Sequence, residues 1–326
     1  MDQGSSVHKV IWLMIIVNLL SMVYAIYTVT EDYSKIAKID NKRLVTAVLL
    51  PILIAVRGLL KKSLSNSGAI AGICVAFFAI LCHWSFLASL MAFFLSGSKV
   101  TRYKAETKRR IEGDAYKEGG QRNWVQVLCN GGVGLEICLL FIMKVGIAID
   151  NPLDFSRFNS ATYLGYAYLG AMACCNGDTW SSELGSVLSK TDPYLILNGK
   201  QVPRGTNGGV SLIGTFVSFI GGLVVGFAFW VGIVFGSNET SGKISTQYLV
   251  VLLGGISGLL GSLIDSFLGS TLQYSGWDKK KNCIVEVKGP NVKHISGWPI
   301  LDNHSVNLLS SLLTALITPF IALYVF

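Results

Sequence analysis

Apolar runs of membrane-spanning length recur from one end of this chain to the other, and they constrain its fold more than any other feature. A helix needs about 20 mainly apolar residues to cross the hydrocarbon core of a bilayer. Runs that reach or approach that length lie at 10–28, 44–60, 69–95, 124–143, 161–175, 210–236, 248–268 and 306–326. The run 69–95 reads as one long helix or as two short ones turning near His83 and Trp84, so eight or nine spans are expected. Only 14% of the 326 residues are charged, against about 25% in soluble domains, too few to coat a water-exposed surface. Mean hydropathy is +0.53. The expected fold is an all-α, polytopic transmembrane bundle with short loops, held in a lipid bilayer. Disorder, a disulfide framework and an ordinary soluble enzyme are excluded. The chain divides into an N-terminal span and connection, 1–43, and a single membrane-embedded domain, 44–326. The first run has a signal-peptide look, with Val23-Tyr24-Ala25 as a cleavage site, but its apolar stretch is long for a signal, and retention as a span is expected.

Charge sets the sidedness. The net charge is +8, from 27 Lys and Arg against 19 Asp and Glu. These basic residues crowd into loops between apolar runs, where topology explains them and nucleic-acid binding does not. Polar segments 99–123, 177–209 and 276–304 are each separated by two spans and so share one membrane face. They hold 16 Lys or Arg, against three (Lys144, Arg157 and Lys243) in the opposite connections 144–159 and 237–247. The positive-inside rule places the three segments in the cytoplasm; the expected location is the endoplasmic reticulum or another endomembrane. The sequon at Asn238 falls on the opposite, lumenal side. Seven cysteines without metal spacing read as small apolar packing residues.

Ionisable groups at membrane depth are costly and point to function. Asp265 is the only charged residue between Ile244 and Trp277, and Gly254, Gly258, Gly261 and Gly269 share its helical face. Glycine faces let helices approach closely, so Asp265 should point into the bundle. A second centre is Asn176 to Gly185, where Asp178 shares a face with Gly170, Cys174, Ser181 and Gly185. Glu183 lies about 140° further round, so the two acids flank one ligand only if the helix breaks. Asp178 or Thr179 also reads as an N-cap opening a cytoplasmic helix. Positive charge beside flexible backbone appears in Arg204-Gly205-Thr206-Asn207-Gly208-Gly209, a loop able to cradle phosphate or to form a plain turn. Basic residues Arg102, Lys104, Lys108, Arg109 and Arg110 read mainly as topology determinants. Arg122, Asn123, Gln126 and Asn130 instead run into a span at its cytoplasmic end. Asp302 and Asn303 read as caps of the last helix, with Asn307 on the same face as Asn303. Cys283 to Val287 has strand character and Gly289-Pro290 suits a turn, so a small hairpin is expected there. No P-loop, HExxH, GxSxG or kinase HRD/DFG set occurs. Carboxylates, amides, arginines and glycine loops on one face suit Mg²⁺-nucleotide phosphoryl transfer or an anion carrier alike.

The ordered motifs Leu64-Ser65-Asn66-Ser67-Gly68-Ala69, Thr101-Arg102-Tyr103-Lys104, Gly119-Gly120-Gln121-Arg122-Asn123, Gln126 to Gly132, Asn176 to Gly185, Arg204 to Ser211, Asp265 to Gly269 and Asp302-Asn303 resemble the transmembrane protein 19 family. That family includes the plant phytyl-phosphate kinase of tocopherol synthesis, and His304 stands where its pattern has an acid. The resemblance implies a membrane kinase that moves a phosphoryl group from a nucleoside triphosphate, CTP among them, to an isoprenoid monophosphate. It implies Mg²⁺ on Asp178, Glu183 and Asp265. It further implies phosphate or nucleotide contacts from Arg102, Arg122, Asn123, Asn130, Arg204, Asn207, Gly208, Gly209 and Asn303. The alternative is a multi-pass transporter or scaffold without catalysis; a carrier would show inverted repeats and broken helices.

Overall fold

A computed structural model describes residues 3–31, 40–105, 120–236 and 245–325. Lys108, Arg109, Arg110 and the Asn238 sequon lie outside the described residues. Nine α-helices are present among those described: α1 Gln3–Glu31, α2 Asn41–Leu60, α3 Asn66–Cys82, α4 Trp84–Arg102, α5 Trp124–Lys144, α6 Asn159–Leu188, α7 Leu212–Gly236, α8 Leu249–Leu272 and α9 Asn303–Val325. Five of them, α2, α5, α7, α8 and α9, are long and apolar enough to cross a membrane by length and composition.

The run 69–95 is two helices. His83 alone separates α3 from α4; its extended backbone ends one helix, and its Nδ1 accepts from Ser85 N (3.1 Å) to start the next. Side chains from three elements brace that corner. Buried Arg43 of α2 pairs with Asp150, donates from Nε to Ile80 O (2.7 Å) and lies over the Trp84 ring. Asp150 in turn accepts from Trp84 N (3.2 Å).

The opposite end gathers the motif loops. Ser65 N donates to Arg122 O and Arg122 N to Ser63 O, so the α2–α3 turn and the approach to α5 run side by side. Asn207 N donates to Ser275 Oγ, and Trp298 N to Thr271 O, tying the later loops to the end of α8. The helices between these ends pack through glycine. A Cβ on Gly177 of α6 would come within 2.5 Å of Gly258 O in α8, and Gly222 of α7 meets Gly254 of α8 as closely. Such contact replaces the hydrophobic drive that lipid cannot supply.

Two expectations change here. The span 161–175 continues to Leu188 without a break, so Asp178 and Thr179 lie inside α6 and neither caps a helix. The expected hairpin is a three-stranded antiparallel sheet, β3 Ser275–Asp278, β4 Cys283–Val285 and β5 Val292–Ser296, in the order β4-β3-β5. Its centre is β3, a segment whose sequence reads as polar loop. A shorter ladder joins β1 Tyr194–Leu195 to β2 Gly209–Val210.

Candidate functional site

The glycine faces of α6 and α8 bring Asp178 and Asp265 together. Gly177 abuts Gly258, and Gly261 has no room for a Cβ against Cys174, so the carboxylates one turn further along each helix face a shared space. They sit close enough to interact electrostatically, and both are half-buried. At 1.5 Å per residue, Asp178 lies about 15 Å and Asp265 about 10 Å from the loop ends of their helices. The site therefore belongs to the half of the bundle nearest the motif loops.

A polar stripe on α9 completes it. Ser310 Oγ donates to Asp265 Oδ2 at 3.0 Å, and Cys174 Sγ lies 3.8 Å from the same hydroxyl. In the amide orientation that satisfies its neighbours, Asn307 donates to Asn303 O (3.0 Å) and Asp265 Oδ2 (3.3 Å), and its oxygen faces the Asn130 amide of α5 at 3.2 Å. Four helices thus contribute Asp178, Asp265, Asn130, Asn307 and Ser310. These are hard oxygen donors of the type that suits Mg²⁺, which usually takes one or two carboxylates and completes its shell with waters and substrate phosphates. The donor set fits that ion.

Glu183 stands apart. On unbroken α6 it points away from Asp178, and its electrostatic partner is Arg122. Among the described residues no group of three His, Cys, Asp or Glu side chains is placed to hold a metal, so the structure does not gather the expected carboxylate trio at one point. Arg122 is held by its backbone pairing with Ser63 and Ser65 and donates to Ser98 Oγ at 3.0 Å. Burial pulls its guanidinium below the usual arginine range, the Glu183 carboxylate opposing that pull and Arg102 adding to it. Arg102 donates to Ser98 O (3.0 Å).

The remaining candidates have structural partners. Asn123 and Gln126 form a reciprocal capping box at the start of α5. Arg204 donates to Ser186 O and Ser189 O at the end of α6 and pairs with Asp192. The Asn207 amide reaches Tyr274 O and Glu286. Gly208 has φ +78°, and a Cβ there would strike Ser270, so glycine is required for the loop to lie on α8. Gly209 opens β2. Asn303 begins α9 and is exposed, while Asp302 caps that helix through Ser305 N (2.9 Å).

Ser310 was not anticipated, and Asn307 was noted only for its spacing. The signal was legible: Asn303, Asn307, Ser310, Thr314 and Thr318 recur at helical intervals through an apolar span. Glu136 was also missed. It is a carboxylate midway along α5 that accepts from Ser21 Oγ of α1 at 2.6 Å.

Helices α2, α3, α4 and α5 line a pocket whose wall is almost entirely hydrocarbon and which Asn130 links to Asn307 of α9. Pro51, Gly72, Met91 and Phe94 contribute to it, and Arg122, Gln126 and Asn130 supply its polar margin.

A bundle of long apolar helices, with a half-buried carboxylate pair in the half nearest the motif loops, defines a polytopic membrane protein. Residues 49–315 match the family described as integral membrane protein DUF92, and the chain belongs to that family. It is 44% identical to Protein PGR of Arabidopsis thaliana over 87% of this chain and 98% of that protein. It is 26% identical to the uncharacterized membrane protein MJ0933 of Methanocaldococcus jannaschii, over 84% of this chain and 92% of that one. Against Protein VTE6, chloroplastic, of Arabidopsis thaliana, identity is 33% over 54% of this chain and 50% of that one. No solved structure matches.

Proposed function

We propose that this protein is an integral membrane prenyl-phosphate kinase, moving the terminal phosphoryl group of a nucleoside triphosphate such as CTP onto an isoprenoid monophosphate. The observation that carries this reading is the convergence of Asp178 and Asp265 with Asn307 and Ser310, next to Arg122 and an apolar pocket. The motif resemblance to the plant phytyl-phosphate kinase supplies the substrate class.

In this reading an oxygen of the lipid monophosphate attacks the terminal phosphorus, the bond to the bridging oxygen breaks, and the nucleoside diphosphate leaves. The nucleophile is already anionic, so no side chain needs to remove a proton. Asp178 and Asp265 would hold Mg²⁺, which neutralises phosphate charge when bound. Ser310 and Asn307 orient Asp265, and Arg122 offsets charge on the lipid phosphate. Catalysis then rests on alignment and charge compensation in a partly desolvated site. The motif loops face the cytoplasm of an endomembrane, where nucleotide is available. Both α6 and α8 run unbroken through their carboxylates, which favours this reading over a carrier with discontinuous helices.

The test is detergent-purified protein with Mg²⁺, CTP labelled in its terminal phosphate, and geranylgeranyl monophosphate. Labelled geranylgeranyl diphosphate and CDP in equal amounts are expected. A folded protein that makes neither, with CTP or with any of the other nucleoside triphosphates, contradicts the proposal.

A further inference from the structure

Glu136 is an ionisable group at membrane depth that the proposed reaction does not use. It is the only charged residue between Arg122 and Lys144, and α1, the helix it faces, carries none between Lys9 and Glu31. The inward face of α1 is Met14, Asn18, Ser21 and Ala25, at helical spacing, while Leu13, Val17, Leu20 and Tyr24 are exposed. Met14 covers Gly132, where a Cβ would come within 2.8 Å of its sulfur, and Ser21 Oγ donates to Glu136 Oε1 at 2.6 Å. Asn18 lies between those two contacts, and its NH₂ donates to Met14 O of its own helix at 3.0 Å. Two buried oxygens on this seam, Asn18 Oδ1 and Glu136 Oε2, have no hydrogen-bond partner among the described residues.

Two acceptors without a donor are costly in hydrocarbon, and so is an ionised carboxylate with no cation beside it. One proton between them removes both costs. Helical side chains lean toward their own N-terminus, which carries Glu136 from the level of Ser21 toward that of Asn18. A metal cation would need more oxygens than the seam offers, because α1 and α5 run unbroken and keep their carbonyls bonded within the helices. We propose that the α1–α5 seam is a proton-binding site: Glu136 is held as the neutral acid, its O–H donating to Asn18 Oδ1 while its other oxygen accepts from Ser21. Titratable groups of the neighbouring helices face elsewhere. Tyr168 of α6 lies against Gly134, and Cys82 of α3 donates to Cys138 O, both on the opposite face of α5 from Glu136. Tyr24 and Tyr27 of α1 are exposed. The bond also fixes α1 as a retained span, since cleavage after Ala25 would strip Glu136 of both partners and leave it facing lipid.

Infrared spectra of the full-length protein in detergent test this directly and do not depend on turnover. The parent should show the carbonyl band of an un-ionised carboxyl that Glu136→Gln lacks, and subtracting the two spectra separates it from the bands of other acids. Gln keeps a donor for Asn18 and an acceptor for Ser21, so the melting temperature of Glu136→Gln should match the parent's. Asn18→Leu removes the acceptor and should shift the band and lower the melting temperature by a few degrees. A difference spectrum with a carboxylate band in place of the un-ionised carbonyl, a Glu136→Gln protein that fails to fold, or a band indifferent to Asn18→Leu would overturn the assignment. So would a parent melting temperature raised by sodium chloride relative to choline chloride and no longer raised in Glu136→Gln, the sign of a cation where the proton is assigned. If Asn18→Leu does not fold, Asn18→Ala makes the same comparison. Recovery of the expressed protein without residues 1–25, read from its intact mass, would also overturn it.

Discussion

Asp265 shows at the scale of one residue how physics turns a costly side chain into a candidate for chemistry. Its position on a glycine face was readable from spacing alone, and the face packs inward as that spacing required. Its partners were not readable, because Ser310 and Asn307 meet it across a helix–helix contact that no single-helix periodicity encodes. Glu183 shows the converse: the angle on α6 already separated it from Asp178, and the unbroken helix keeps it so. Ser310→Ala should lower turnover or Mg²⁺ affinity by about 10–100-fold, as expected for a group that orients a metal ligand. The melting temperature should stay near that of the parent, and a variant with full turnover and unchanged Mg²⁺ dependence would remove Ser310 from the site. Arg122→Gln should raise KM for the lipid phosphate more than it lowers kcat, because it offsets a charge already present in the ground state. An unchanged KM in steady-state assays would contradict that role.

Elements hold the site in place through contacts at the far end of the bundle. Arg43 of α2, Asp150 after α5 and Trp84 at the start of α4 lock the one-residue corner at His83. A turn near His83 and Trp84 is legible in the sequence. The ion pair is not, because its members lie 107 positions apart. Asp150→Asn leaves Arg43 buried with its charge uncompensated, at a cost of about 3–5 kcal/mol. Denaturation in mild detergent should show that loss, with activity per folded molecule retained; an unchanged melting temperature would show that the corner does not depend on the pair. Packing by glycine gives a second test. Gly222→Leu forces a side chain into the Gly254 backbone of α8, and the expected result is loss of the folded protein.

For the whole molecule, most of the architecture follows from where apolar runs start and stop. The bundle and the clustering of the three motif loops at one end were legible in charge and spacing. The sheet order β4-β3-β5 was not, since β3 contains Ser275, Gly276 and Asp278 and carries little strand propensity; its pairing with both neighbours comes from tertiary context. The basic asymmetry leads to one expectation for the assembled protein: tags placed at 104–105, 198–200 and 280–282 should all be accessible from the cytoplasm. Protection of any one of them in sealed microsomes would break the proposed single site.

In the proposed reaction Asp178 and Asp265 together support phosphoryl transfer to a lipid phosphate. The most direct measurement compares parent and Asp265→Asn protein from matched detergent preparations, recording melting temperature and the label passed from CTP to geranylgeranyl monophosphate. Asn is nearly isosteric with Asp and keeps the packing against the glycine face, and removing a costly charge does not weaken the bundle. The variant should be at least as stable as the parent, with transfer reduced by more than about 100-fold. A stable Asp265→Asn protein with undiminished transfer would contradict a role for this pair in the reaction.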